Sequence, residues 1–340
     1  MSSLIKIPGD YGTGGGAIAR VALGLSALTG KACKIEKIRI KRDKPGLREQ
    51  HLQGALALAS LCNAKAKGLT FESTEVEFYP QAITKKHLDV NVKTAGSIGL
   101  VLQALMIPSL NYDLTISING GATFGKHAPP LYYIKDVLGY FLNKIGYRYN
   151  INIKREGFFP RGGAITEIRT FKPEKLNELI ATEQTPIIRI GGISVASANL
   201  KSRNVAERQA KTAIEILHKY FKIKSIIDII YSDSLDFGSG IQLWIETENS
   251  RIGGDSFGER VKTSEKVAEE AAYALIGEYK KGAVVDKHAS DQLLPYLAIA
   301  GGSIKTSEIT EHAKTNMFVI EKFLPVKFSI SDNIIEVKKA

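Results

Sequence analysis

The feature that most constrains this chain is a threefold recurrence in the order of its elements, the signature of a repeat architecture. Small residues open an apolar helix at 14–28, at 94–105 and at 289–300. Each is followed by a short β-branched or alternating run, at 34–40, 113–118 and 303–309, and then by a second helix at 50–61, 130–145 and 316–323. A histidine stands near the start of each second helix: His51, His127 and His312. Strand or hairpin patterns close the units at 69–78, at 147–156 with 165–169, and at 327–337. A βα unit has an apolar face it cannot bury alone, so the three are expected to pack together as one large α/β domain with α+β layers.

Residues 184–279 fall outside the recurrence. Their pattern predicts a strand at 187–193, an amphipathic helix at 203–220, strands at 225–231 and 241–247, and a helix at 262–279. The flanks Lys172-Pro173-Glu174 and Lys280-Lys281-Gly282 have linker character. The expectation is a discontinuous large domain, 1–183 with 280–340, carrying a smaller α+β domain inserted at 184–279.

Several classes are excluded at this level. The chain is 44% hydrophobic and 24% charged without biased tracts, which argues for a packed globular protein. Gly9-Asp10-Tyr11-Gly12 falls where a signal peptide needs an apolar core, and no stretch approaches ~18 apolar residues, so a cytoplasmic protein without a membrane partner is expected. Cys33 and Cys62 lack Cys-x-x-Cys spacing and read as buried small side chains. No His-x-x-His, His-Glu-x-x-His or Asp-rich cluster predicts a dedicated metal cage, although magnesium held by nucleotide phosphates leaves no such mark. The net charge of +11 fits a polyanionic partner and fits equally a basic surface with no such role.

Three segments are candidates for chemistry. Gly12-Thr13-Gly14-Gly15-Gly16 precedes a helix bearing Arg20, so backbone N–H groups and a helix N-terminus can face an anion; the same glycines also suit a tight turn. From Arg39 to His51, five cations (Arg39, Lys41, Arg42, Lys44, Arg48) occupy a strand end and the turn before a helix, as a phosphate clamp or a charged surface loop. Between His288 and Glu321, short polar groups including Asp291, Gln292, His312, Thr315 and Asn316 crowd beside apolar runs, as at a pocket edge. A neutral imidazole there is able to attack phosphorus, and a histidine beside a helix start also serves as a plain hydrogen-bonding residue.

Five ordered motifs resemble the RNA 3′-terminal phosphate cyclases almost from end to end: Gly12-Thr-Gly-Gly-Gly-Ala-Ile-Ala-Arg20, Lys44-Pro-Gly-Leu-Arg-Glu-Gln50-His51-Leu, Thr94-Ala-Gly-Ser-Ile-Gly-Leu-Val-Leu-Gln103, Ala289-Ser-Asp291-Gln292-Leu-Leu-Pro and Glu311-His312-Ala-Lys-Thr-Asn316. The resemblance implies three repeats with an inserted domain, and an ATP-dependent conversion of an RNA 3′-phosphate to a 2′,3′-cyclic phosphodiester through covalent histidine–AMP, with magnesium or manganese as counter-ion. It implies His312 as nucleophile with Arg20, Arg42 and Asp291 around it. Gly14, Gly15, Arg20, Arg39, Arg42, Gln50 and His51 would meet the phosphates and the RNA end. Gln103, Pro129, Tyr133, His288, Asp291 and Gln292 would hold the nucleotide. Two departures stand out: Thr13 and Ala17 replace the glutamate and glutamine many members carry, removing a carboxylate for the metal, and the position of His288 is a tyrosine in some. Cyclase-like proteins that act as RNA-bound scaffolds are the competing class, and a small-molecule transferase is a third.

Overall fold

The computed structural model describes residues 4–339. The first unit runs β1 (Ile5–Pro8), α1 (Gly16–Thr29), β2 (Cys33–Glu36), α2 (Glu49–Leu61), β3 (Lys65–Lys67) and β4 (Val76–Tyr79). The second runs β5 (His87–Ser97), α3 (Ile98–Leu105), β6 (Leu114–Ala122), α4 (Leu131–Tyr133), a π turn (Ile134–Leu138), α5 (Gly139–Ile145), β7 (Arg148–Arg155) and β8 (Ile165–Phe171). Next comes β9 (Leu179–Ala181), followed by β10 (Ile187–Ser197), α6 (Val205–Phe221), β11 (Ser225–Ser232), β12 (Ser239–Thr247), β13 (Arg251–Phe257) and α7 (Ser264–Lys280). The chain then closes with α8 (Lys287–Ala300), β14 (Gly302–Lys305), α9 (Glu311–Phe323), β15 (Val326–Ser331) and β16 (Ile334–Lys339).

Among the described residues, three of the four sheets share one topology. Their orders are β1-β2-β4-β3, β5-β6-β8-β7 and β9-β14-β16-β15. In each the first pair is parallel and the other two are antiparallel. A parallel pair needs a crossover, which α1 and α3 supply in the first two units. The helices turn inward, with α1 packed on α2, α3 and α9, and α8 on α9. One continuous core runs from Ile7 through Leu105 and Phe141 to Ile335.

The fourth sheet, β11-β10-β12-β13, is backed by α6 and α7 around its own core of Ile241, Leu243, Ala271 and Leu275. Helix α6 buries Val205, Gln209, Ala213 and Leu217 at helical spacing. Phe124, Tyr132 and Phe158 pack against Ile193 and Val195 of β10, joining this sheet to the second unit.

Four expectations change. The recurrence begins one strand earlier, at β1, β5 and β9, so the 184–279 segment interrupts the third unit after its first strand. The strand expected at 34–40 ends at Glu36 because Lys37 and Arg39 take positive φ, and the cations that follow lie in a turn. Residues 94–97 extend β5, and α3 starts only after Ser97, whose hydroxyl accepts from the Leu100 amide. Helix α9 begins at Glu311, five residues before the expected start at 316, with Thr310 as its N-cap. His312 therefore sits in the first turn of a helix and not ahead of it.

Candidate active site

A cavity of about 740 Å³ lies where the three units meet the fourth sheet. The first unit contributes Gly15, Arg20, Arg39, Arg42, Gln50 and His51; the second contributes Gln103, Pro129 and Tyr133; the third contributes His288, Asp291, Gln292 and His312. Thirteen predicted site residues are thus brought to one wall system. Thr13 and Gly14 stand behind it, Gly14 at φ +59 against Lys41 in the turn that aims Gly15 inward.

The local structure explains the convergence. Helix α1 starts after Gly15 with no side-chain cap, so its first amides are free to meet an anion. A side-chain carbon at Gly15 would lie 3.4 Å from both Arg42 Nη2 and His312 Cε1. Helix α9 is held to the glycine turn by Tyr11 stacked on Phe318, ring centroids 3.9 Å apart. The Thr310 hydroxyl accepts from the Ala313 amide at 2.9 Å and fixes the turn that carries His312. Arg20 Nε donates to Gln103 Oε1 at 3.1 Å, tying α1 to α3.

Burial and the cationic surroundings set the protonation states. Burial first, then Arg20, Arg42 and His288, hold the His312 imidazole below its ordinary value, which favours the neutral ring. His51 is held well below by burial and by Arg20, Arg39 and Arg48. Its Nδ1 accepts from the Arg48 amide at 3.2 Å, so the neutral ring carries its proton on Nε2, facing Gly16. Burial lowers Arg20 to about 10 against the pull of Asp291. Burial pushes Asp291 up to about 8, opposed by Arg20 and helped by Asp286.

Two groups on this wall escaped the sequence. Asp255 and Phe257 come from β13, where no strand was expected. Burial, with the Asp286 charge adding, pushes Asp255 up to about 7. Asp286 is a further omission: its carboxylate caps α8 by accepting from the His288 and Ala289 amides, and also accepts from Gly253 N–H at 2.9 Å and Tyr133 O–H at 2.5 Å. Tyr133 is 1% exposed with its hydroxyl committed there, so only its ring borders the cavity. A buried acid between elements has no local sequence period, and only its N-cap position before α8 is a usable signal.

Among the described residues, three cavity-lining side chains carry a buried polar atom without a partner, Arg39 Nε, Gln292 Oε1 and Asn316 Oδ1, and Thr13 Oγ1 behind the wall is a fourth. Unpaired buried polar atoms gathered at one cavity point to a polar ligand. Among the described residues no three His, Cys, Asp or Glu side chains are grouped to hold a metal. Among the described residues no helix is long and apolar enough to cross a membrane.

A family model described as RNA 3′-terminal phosphate cyclase matches residues 11–330. A protein of Thermococcus kodakarensis named RNA 3′-terminal phosphate cyclase is 44% identical over 330 residues, covering 97% of this chain and 95% of that one. One of the same name from Pyrococcus abyssi is 44% identical over 337 residues, covering 97% and 96%. Another from Methanopyrus kandleri is 40% identical over 338 residues, covering 96% and 95%.

Proposed function

The chain belongs to the RNA 3′-terminal phosphate cyclase family, and from that premise we propose that it converts an RNA 3′-phosphate to a 2′,3′-cyclic phosphodiester by consuming ATP, with His312 as nucleophile. The observation that carries this reading is a depressed imidazole placed beside Arg42, Arg20 and the uncapped N-terminus of α1.

In the first step the neutral His312 ring attacks the α-phosphorus of ATP; an N–P bond forms and the bond to pyrophosphate breaks. Arg20, Arg42 and the α1 amides face the charge that builds on the phosphoryl oxygens. Next an oxygen of the RNA 3′-phosphate attacks the same phosphorus, and the N–P bond breaks to free His312. The 2′-hydroxyl then attacks the RNA phosphorus, closes the ring and expels AMP, its proton passing to solvent or to a group at the site. Arg39, Gln50 and the Nε2–H of His51 are assigned to the RNA end. Pro129, the Tyr133 ring, His288 and Gln292 are assigned to the nucleoside, with Asp291 beside Arg20. Gln103 orients Arg20. Magnesium or manganese would come with the ATP phosphates, and no step here depends on a protein cage for it.

The proposal includes residues 184–279 as an inserted domain within the body 1–183 and 280–340, and a cytoplasmic setting. Its test uses an oligoribonucleotide labelled in the 3′-phosphate. With ATP and magnesium the label should become resistant to phosphatase while remaining on the RNA; full phosphatase sensitivity after incubation contradicts the proposal.

A further inference from the structure

Phe159 and Phe237 are 80% and 67% exposed, large apolar rings left in water on two adjoining turns. The turns are locked together: Arg161 donates through its amide to Asp236 Oδ2 at 2.8 Å and through Nε to Asp236 Oδ1 at 2.9 Å. Phe158 is buried beneath, within the cluster joining the second unit to β10, and Gly238 lies on its ring. Two exposed rings on a rigid, well-anchored base cost little conformational entropy on binding and suit a flat apolar ligand.

The surface is continuous with the side of the cavity assigned to the RNA end. A side-chain carbon at Gly96 would lie 3.4 Å from Gln50 Oε1, and one at Gly162 would lie 2.9 Å from the Thr94 carbonyl oxygen. The 94–96 segment and the 157–163 turn therefore connect Gln50 to Phe159. Lys93, which precedes the 94–96 segment, and Lys126, which lines the cavity, are both exposed. Exposed cations at a phosphate site with exposed aromatic rings beyond it are a combination that holds single-stranded nucleic acid.

We infer that the nucleotides immediately upstream of the 3′-phosphate leave the cavity over the 157–163 turn and stack on Phe159 and Phe237. This rests on the cyclase reading above. Stacking is indifferent to base identity, so the surface would extend affinity to RNA length without selecting sequence.

The test compares the full chain with its F159A/F237A variant by fluorescence anisotropy, using single-stranded oligoribonucleotides with a 3′-phosphate at low salt. Affinity for an octanucleotide should fall by ~10-fold or more, and affinity for a dinucleotide by less than about twofold. The F159W variant should retain octanucleotide affinity, and its new indole should lose fluorescence on binding. Equal octanucleotide affinity in variant and unaltered protein, equal loss for both lengths, or no binding by either protein overturns the inference. The first of these leaves the rings for a protein partner. Covalent labelling by ATP, measured on the same samples, tests the proposed chemistry separately.

Discussion

Burial and neighbouring arginines favour the neutral ring at both His312 and His51. His312 is exposed at the cavity wall, whereas His51 is buried at the start of α2 with one nitrogen already satisfied. Because the His312 value is depressed, its neutral fraction persists below the ordinary histidine value of 6.5. The rate of covalent labelling by ATP should stay level from pH 8 to below 6.5 and fall only at lower pH; a midpoint above 6.5 would contradict this. Asp291 works the other way. Its folded-state value, raised from 3.8 to about 8, means the stability it contributes is complete below 3.8 and is lost as pH rises toward 8. D291N should melt ~2–5 °C above the unaltered protein at pH 8 without ligand, with a smaller gap at pH 5, in a thermal scan. His312, Arg20, Arg42 and Gln103 were legible because each sits in a motif beside a recognisable helix. Asp255 and Phe257 were not, since Gly253 and Gly254 leave β13 without the alternation that marks a strand.

At the scale of elements, the repeating unit is strand, helix, strand, helix and hairpin, and its first strand was the hardest part to find. β9 has three residues and an exposed Ile180, too short for any period to register. β5, by contrast, alternates cleanly through Leu88, Val90 and Val92 and was legible in principle. The element boundary with most consequence is the start of α8, where Asp286 joins that helix to β13 and to Tyr133. Removing the carboxylate leaves amides and a phenol buried without a partner and loosens the wall that carries His288, Asp291 and Gln292. D286A should lose ~3 kcal/mol in denaturant unfolding and raise the KM for ATP more than it lowers kcat. A variant of unchanged stability would remove Asp286 from this role.

For the whole molecule, three similar units produce one site because their unlike parts converge. Arg20 and Arg42 come from the first, Gln103 from the second, His312 from the third, and Asp255 and Phe257 from the sheet that interrupts the third. The recurrence in the sequence carried the expectation of shared packing, and one continuous core runs through all three units. It did not show that the interrupting segment also walls the cavity, because contacts between distant segments leave no local pattern. The central claim is that this convergence makes His312 a nucleophile toward ATP. Its most direct test is incubation of the protein and its H312N variant with α-labelled ATP and magnesium, followed by denaturing electrophoresis and acid treatment. The account predicts an acid-labile label on the unaltered chain and a loss of ~1,000-fold or more in H312N. Equal labelling of the two, or none on either, would contradict it.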